Sequence, residues 1–76
     1  MHERLIHCFH LVFPEIAARS IPAVSLENTP RWDSLASVQL IALIEDEFNA
    51  TVPLDEYGNL NSFEQFHDYL QRKVGE

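Results

Sequence analysis

The sequence WDSLASVQLIALIEDEF, residues 32–48, decides the fold of this chain. Trp32 is followed by Asp33 and Ser34, whose side chains are of the types that accept hydrogen bonds from the free backbone N–H groups of a first helical turn. The sequence then runs to Phe48 without glycine or proline, through a dense apolar segment that ends in acidic residues. We therefore predict a long α-helix here, and we expect the rest of the chain to pack around it.

The apolar residues of this helix divide between a core face and a face that solvent can reach. At about 100° per residue, the predicted core face gathers Val38, Leu40, Ile41, Ile44 and Phe48. The predicted solvent face carries Leu35, Gln39, Ala42, Leu43 and Asp46. A solvent face that is partly apolar and acidic, behind a serine at the start of a helix, is an unusual combination.

Helical patterns also precede this segment. Apolar residues recur at three- and four-residue spacing over residues 2–13 and predict a first long helix, which Pro14 should end. A second short piece is expected at residues 15–19. The composition of residues 20–31 then predicts a long loop. Three apolar side chains should pin that loop to the core: Ile21, Val24 and Leu26.

After residue 48, the sequence predicts a break and two further helical elements. A short turn is expected at residues 54–57, ended by Gly58, and only Thr51 and Val52 have a strand-like composition. Ser62 and Gln65 form a capping-box pattern before a last helix. Its predicted buried side is Phe63, Phe66, Leu70 and Val74. We therefore predict an all-α fold, a small four-helix bundle of three main helices and one short helix, forming a single domain over residues 1–76.

The composition restricts the possible functions. Twelve acidic residues against five basic ones give a net charge of −7, which argues against nucleic-acid binding and favours partners with basic patches. The single Cys8 cannot form an internal disulfide, and no segment resembles a secretory signal or a membrane span. We expect a monomer in the reducing cytoplasm.

Asp33-Ser34-Leu35, followed by this apolar pattern and acidic end, resembles the acyl carrier protein family. The resemblance extends from about Leu5 to Leu70 and is strongest over residues 33–48. It implies a bundle of the acyl-carrier-protein type and a 4′-phosphopantetheine arm attached to Ser34, with Asp33 and Leu35 as the other cofactor-binding residues. It also implies that the helix after Ser34 contacts partner enzymes. The docking residues so implied are Leu35, Gln39, Ala42, Glu45 and Asp46.

The same resemblance implies the partners. A phosphopantetheinyl transferase, using its own magnesium, would move the arm from coenzyme A onto Ser34. The terminal thiol would then carry an acyl or aminoacyl group as a thioester to acyl-loading and acyl-processing enzymes with basic docking patches. These enzymes would belong to fatty-acid, polyketide or peptide biosynthesis, and the chain itself would be a carrier and not an enzyme.

Two features depart from the family pattern. Arg31 and Trp32 precede Asp33, where many members have glycine or another small residue. Ala36 and Gln39 stand at positions that are often acidic in the family, so the start of this helix is less negative than usual. These departures bear on which partners the chain serves and leave the attachment chemistry intact.

Several alternatives remain at this stage. Ser34 could be an ordinary N-cap residue in an unmodified helical interaction module, or the nucleophile of a small hydrolase, although it lacks the Gly-x-Ser-x-Gly pattern. Ser37 is a competing hydroxyl that we expect to be partly buried and structural. For Trp32 we favour packing over the bundle against contact with the arm or a partner.

Two polar clusters have simple interpretations. His7, Cys8 and His10 do not present three or four converging ligands, so no metal site is predicted. The acidic run at residues 45–47 fans out around a helix, so these carboxylates should form a solvated or docking surface and not a paired catalytic site.

Overall fold

A computed structural model describes residues 2–74 of the chain, and side chains up to residue 73. Three α-helices form the bundle: α1 His2–Val12, α2 Ser34–Phe48 and α3 Phe63–Val74. Two 3₁₀-helices lie between them, Ala18–Ala23 and Leu54–Asn59, and none of the described residues belongs to a β-strand. The all-α prediction is confirmed, with two short helices where one was expected.

Helix α1 begins and ends close to the predicted positions. Its buried residues, Leu5, Cys8, Phe9 and Val12, recur every three or four positions and face the core. Pro14 stops the helix, although the Phe13 N–H still donates to the Phe9 carbonyl at 2.8 Å. The short piece expected at residues 15–19 is wrong, because the 3₁₀-helix starts later and includes Pro22.

The connection between α1 and α2 is anchored by two of the three predicted residues. Ile21 and Val24 are buried, whereas Leu26 is 43% exposed. The prediction for Leu26 fails because a turn begins at Ser25, with the Asn28 N–H donating to the Ser25 carbonyl at 3.2 Å. Residue 26 therefore lies on the outside of that turn.

Helix α2 buries a narrower face than the sequence predicted. Leu40, Ile41, Ile44 and Phe48 are buried as expected, together with Ala36, but Val38 is 52% exposed. At about 100° per residue, Val38 lies about 120° around the helix from Ile44. The predicted core face was thus too wide, and Val38 belongs to the solvent side.

The two ends of α2 have well-defined caps. The Asp33 side chain accepts a hydrogen bond from the Ala36 N–H at 2.9 Å. At the other end Asn49 adopts a left-handed conformation (φ 52°), which asparagine tolerates better than most residues. Arg4 of α1 also binds this end, with Nε 2.8 Å from a Glu47 carboxylate oxygen and Nη2 2.6 Å from the Glu47 carbonyl.

Trp32 joins the helices at the centre of the core. It is 3% exposed, and its ring centroid lies 5.7 Å from that of Phe9, 5.8 Å from Phe13 and 6.4 Å from Phe66. The indole N–H donates to the Ser37 hydroxyl at 2.7 Å. The packing interpretation of Trp32 is confirmed, and Ser37 is half-buried and structural as predicted.

The segments around α3 differ from the prediction in detail. The Ser62 hydroxyl accepts from the Gln65 N–H at 3.1 Å as expected, but the Gln65 side chain accepts from the Asn61 N–H at 2.7 Å. In a capping box the Gln65 side chain would accept from the Ser62 N–H. The observed donor is the residue before it, Asn61. Helix α3 buries Phe63, Phe66 and Leu70, and it also buries Tyr69, which the prediction omitted. The predicted packing of Val74 lies outside the described side chains.

The segment after α2 contains no strand, because its backbone is used otherwise. The Val52 N–H donates to the Glu45 carboxylate at 2.7 Å and is not available to a β-ladder. The following 3₁₀-helix passes through Gly58 and ends at Asn59 instead of stopping before the glycine. No helix within residues 2–74 is long and apolar enough to cross a membrane.

The burial of Phe48 gives a stability prediction. Phe→Ala in a core typically costs about 3–5 kcal/mol, whereas a chain of this length has about 4–11 kcal/mol in total at roughly 0.05–0.15 kcal/mol per residue. Phe48→Ala should therefore strongly lower the melting temperature, measured by circular dichroism. Leu54→Ala is the control, because Leu54 is exposed and its truncation should change stability by at most about 0.5 kcal/mol. A larger effect at Leu54 than at Phe48 would contradict the packing described here.

Candidate functional site

Ser34 lies at the start of α2 without serving as its cap. The N-cap is Asp33, whose carboxylate binds the Ala36 N–H and whose carbonyl accepts from the Ser37 N–H at 3.0 Å. The interpretation of Ser34 as an N-cap hydroxyl is therefore wrong. The Ser34 side chain is exposed, and its hydroxyl forms no hydrogen bond with any residue that the structure describes. This hydroxyl is free to react with an external group.

The electrostatic setting of Ser34 favours a negatively charged substituent. The first backbone N–H groups of a helix lack intrahelical partners, and the helix dipole places about half a positive elementary charge at this end. Between Ser34 and Ile44 the helix carries no charged side chain. A phosphodiester on Ser34 would therefore meet partial positive charge from the helix, offset in part by the Asp33 carboxylate that already binds the Ala36 N–H.

An exposed, largely apolar surface lies directly beside Ser34. Leu35 is 66% exposed and Val38 is 52% exposed, and the side chains of Gln39 and Ala42 on the same side of α2 also reach solvent. We call these four residues and Asp46 the α2 face. Sequence reasoning missed Val38 here, because its apolar side chain and its spacing from Ile41 suggested burial. A narrower helical stripe centred on Ile44 would have identified it.

The three acidic residues near the end of α2 make different contacts. The Glu45 side chain is half-buried and holds the Val52 N–H, so it stabilises the chain after the helix. Glu47 is paired with Arg4. Asp46 is exposed and forms no hydrogen bond or ion pair with the described residues. Of the two acids predicted to contact partners, Asp46 is available and Glu45 is already engaged in the fold.

Leu43, which the sequence placed on the solvent side of α2, is only partly exposed. It packs against the core cluster, and its carbonyl lies 4.0 Å from the Cys8 sulfur. Leu43 therefore lies at the edge of the α2 face and is not part of it.

The three residues near the middle of α1, His7, Cys8 and His10, differ in their exposure. Cys8 is buried, while His7 and His10 are exposed on α1. Burial, with a smaller contribution from the negative charge of Glu47, raises the pKa of the Cys8 thiol to about 11. A thiol with that pKa is a poor nucleophile at neutral pH. Over the described residues, no three His, Cys, Asp or Glu side chains come close enough to hold a metal ion.

Comparison with known proteins identifies the family of the chain. No family model matches the chain, and no solved structure matches it. The acyl carrier protein of Thermosynechococcus vestitus is 33% identical to the chain over 54 residues, which are 71% of this chain and 67% of that protein. With this level of identity and coverage, the chain belongs to the acyl carrier protein family.

Proposed function

We propose that this chain is a carrier that holds acyl groups on a 4′-phosphopantetheine arm attached to Ser34. The observation that carries the proposal is the exposed Ser34 hydroxyl, without an internal partner, at the start of α2 in a chain of the acyl carrier protein family. The thiol that ends such an arm would hold the acyl group as a thioester. No residue of the chain is required to act as a catalyst.

The chain's own part in attachment is to present a nucleophile. Ser34 Oγ would be the nucleophile towards the phosphorus of coenzyme A that bears the pantetheine group. A P–O bond to Ser34 would form as the pyrophosphate P–O bond breaks, adenosine 3′,5′-bisphosphate would leave, and the Ser34 proton would pass to a base of the phosphopantetheinyl transferase. Because Asp33 and not Ser34 caps α2, the reaction leaves the helix cap in place.

The α2 face is proposed as the surface that the transferase and the acyl-processing enzymes contact. Its apolar residues next to Ser34 can be buried against a partner. The net charge of −7 and the free carboxylate of Asp46 would steer a partner with a basic patch. We add Val38 to the residues proposed to contact partners. We omit Glu45, because its carboxylate binds the Val52 N–H.

The attachment site is tested by intact-mass analysis. After incubation with coenzyme A and a broad-specificity transferase, the protein should gain the mass of one phosphopantetheine, and Ser34→Ala should abolish the gain. Ser37→Ala is the control. It should lose stability, because the Trp32 indole N–H loses its acceptor, yet it should still be modified under conditions where circular dichroism shows a folded helix. Failure of the wild-type chain to gain mass with several transferases would favour the unmodified interaction module.

The apolar part of the α2 face gives a second prediction. Leu35→Arg and Ala42→Arg should slow phosphopantetheine transfer by placing a charge where the transferase must bury apolar surface. Their melting temperatures should remain close to that of the wild type, because exposed substitutions usually change stability by at most about 0.5 kcal/mol. Leu11→Arg is the matched control, since Leu11 is an exposed leucine of α1. Equal transfer rates for Leu35→Arg and Leu11→Arg would show that the α2 face is not the contact surface.

The electrostatic contribution is tested by association rates in salt. The Debye length falls from about 10 Å at 0.1 M to about 3 Å at 1 M, so association with the transferase should slow as salt is added. Asp46→Lys should slow it further at low salt, because it removes the free carboxylate beside the α2 face. Glu27→Lys changes the net charge equally at an exposed position of the loop. If both variants slow association equally, the effect comes from the net charge of the chain and not from the position of Asp46. An association rate that does not depend on salt would contradict electrostatic steering.

A further inference from the structure

A pocket between α3 and the second 3₁₀-helix gathers polar groups that the fold leaves without partners. It has a volume of about 510 Å³ and is lined by Glu56, Asn59, Tyr69, Arg72 and Lys73. We call it the α3 pocket. Three of its residues lie three and four positions apart in α3, so their side chains project from the same side of the helix. Its volume falls within the range of about 300–1,000 Å³ that is typical of small-molecule sites.

The Tyr69 hydroxyl is a buried donor without an acceptor. Tyr69 is 3% exposed, and its hydroxyl oxygen has no hydrogen-bond partner among the described residues. Burial, and then the negative charges of Glu56 and Asp55, raise the pKa of this phenol, while Arg72 acts in the opposite direction. The hydroxyl is therefore protonated near neutral pH and lies close to the charged groups of the pocket. A buried polar group of this kind marks a place where a partner is expected.

Two positive charges of the pocket also lack an acidic partner. The chain has only five lysines and arginines against twelve acids, and Arg4 and Arg31 form ion pairs with two of those acids. Arg72 and Lys73 form no ion pair and no hydrogen bond with the residues that the structure describes. The Lys73 ammonium lies over the Tyr69 ring, 5.7 Å from its centroid. This contact keeps the ammonium beside the ring that lines the pocket.

The two cations alone would not indicate a ligand. Basic residues are common in the last turn of a helix, because they offset the negative end of the helix dipole. The buried Tyr69 hydroxyl has no such explanation, since it carries no charge and needs an acceptor. An anionic oxygen in the α3 pocket would satisfy the hydroxyl and pair with Arg72 and Lys73 at the same time.

The charges of the pocket restrict the class of anion. Its lining carries two positive charges, from Arg72 and Lys73, and one negative charge, from Glu56. A ligand with a single negative charge therefore leaves the pocket neutral. The net charge of −7 repels a doubly charged anion about twice as strongly as a singly charged one. The planar guanidinium of Arg72 matches the two oxygens of a carboxylate.

We propose that the α3 pocket binds a carboxylate group with a single negative charge. The Tyr69 hydroxyl donates to one carboxylate oxygen, and Arg72 and Lys73 supply the opposite charge. The Asn59 side chain, which forms no hydrogen bond with the described residues, offers a further donor at the rim. The same chemistry is provided by a free organic acid and by an acidic side chain of another protein. None of these residues belongs to the α2 face, so this site is separate from the surface proposed for the carrier function.

Binding is measured by NMR on the isotope-labelled full-length chain. Sodium propanoate is added at neutral pH in exchange for sodium chloride, so that the ionic strength stays constant. The backbone amide signals of Asn59, Tyr69, Arg72 and Lys73 should shift together and saturate in the millimolar range, while signals of the α2 face stay in place. The absence of a saturable shift at these residues would overturn the proposal.

Tyr69→Phe is the decisive variant, because it keeps the ring and removes only the hydroxyl. It should weaken propanoate binding about tenfold through the loss of one hydrogen bond to a charged group. Its melting temperature without propanoate should equal or exceed that of the wild type, because an unpartnered buried donor has been removed. A Tyr69→Phe variant that binds propanoate as tightly as the wild type would show that the hydroxyl takes no part, and would contradict the site.

Arg72→Gln should also weaken binding several-fold. Arg19→Gln is its matched control, since Arg19 is an exposed arginine of the first 3₁₀-helix without an ion pair to the described residues. It removes the same charge and should leave binding nearly unchanged. Equal weakening by the two variants would show that propanoate responds only to the net charge of the chain, which would overturn the assignment to the α3 pocket.

Two further probes distinguish the class and the source of the ligand. Sodium sulfate at the same ionic strength should bind more weakly than propanoate, and tighter binding of sulfate would overturn the assignment to carboxylates. A blocked tripeptide, acetyl-Gly-Glu-Gly-amide, presents the same carboxylate on a peptide. Binding of this peptide several-fold tighter than propanoate would identify the source as an acidic side chain of a protein. Equal or weaker binding of the peptide would identify it as a free organic acid.

Discussion

The burial of Trp32 is the interaction on which the rest of the structure depends. Its ring contacts Phe9 and Phe13 near the end of α1 and Phe66 of α3, and its indole N–H bonds to Ser37 in the first turns of α2. One side chain therefore fixes the position of the start of α2 relative to the other helices. Asp33 and Ser34 follow directly in the chain, so the same packing determines where the reactive hydroxyl lies.

Helix α2 divides structural and functional roles around its circumference. One stripe, centred on Ile44, is buried, while the side that includes Leu35, Val38 and Ala42 is left to solvent. Its polar residues follow the same division: Asp33 and Glu45 satisfy backbone N–H groups. This explains how a helix with few charges can both organise a small core and keep a free surface next to Ser34.

The sequence predicts the elements well where one physical effect dominates. Capping residues, Pro14 and the three- and four-residue spacing locate α1, α2 and α3 within about one residue. The errors come from tertiary contacts that a local pattern does not contain. Val38 has the spacing and chemistry of a core residue, but the neighbours of α2 cover a narrower stripe.

The contacts at the site that the sequence did not predict have the same origin. Glu45 resembles a surface acid, yet its carboxylate meets the Val52 N–H only after the chain turns back at Asn49. The two arginine contacts have a related consequence. Arg4 binds the Glu47 carbonyl near the end of α2 and Arg31 binds the Val12 carbonyl at the end of α1, so each of these helix ends is tied to another part of the chain. Amide hydrogen exchange in these turns should therefore be slower than in helix ends that lack such a contact.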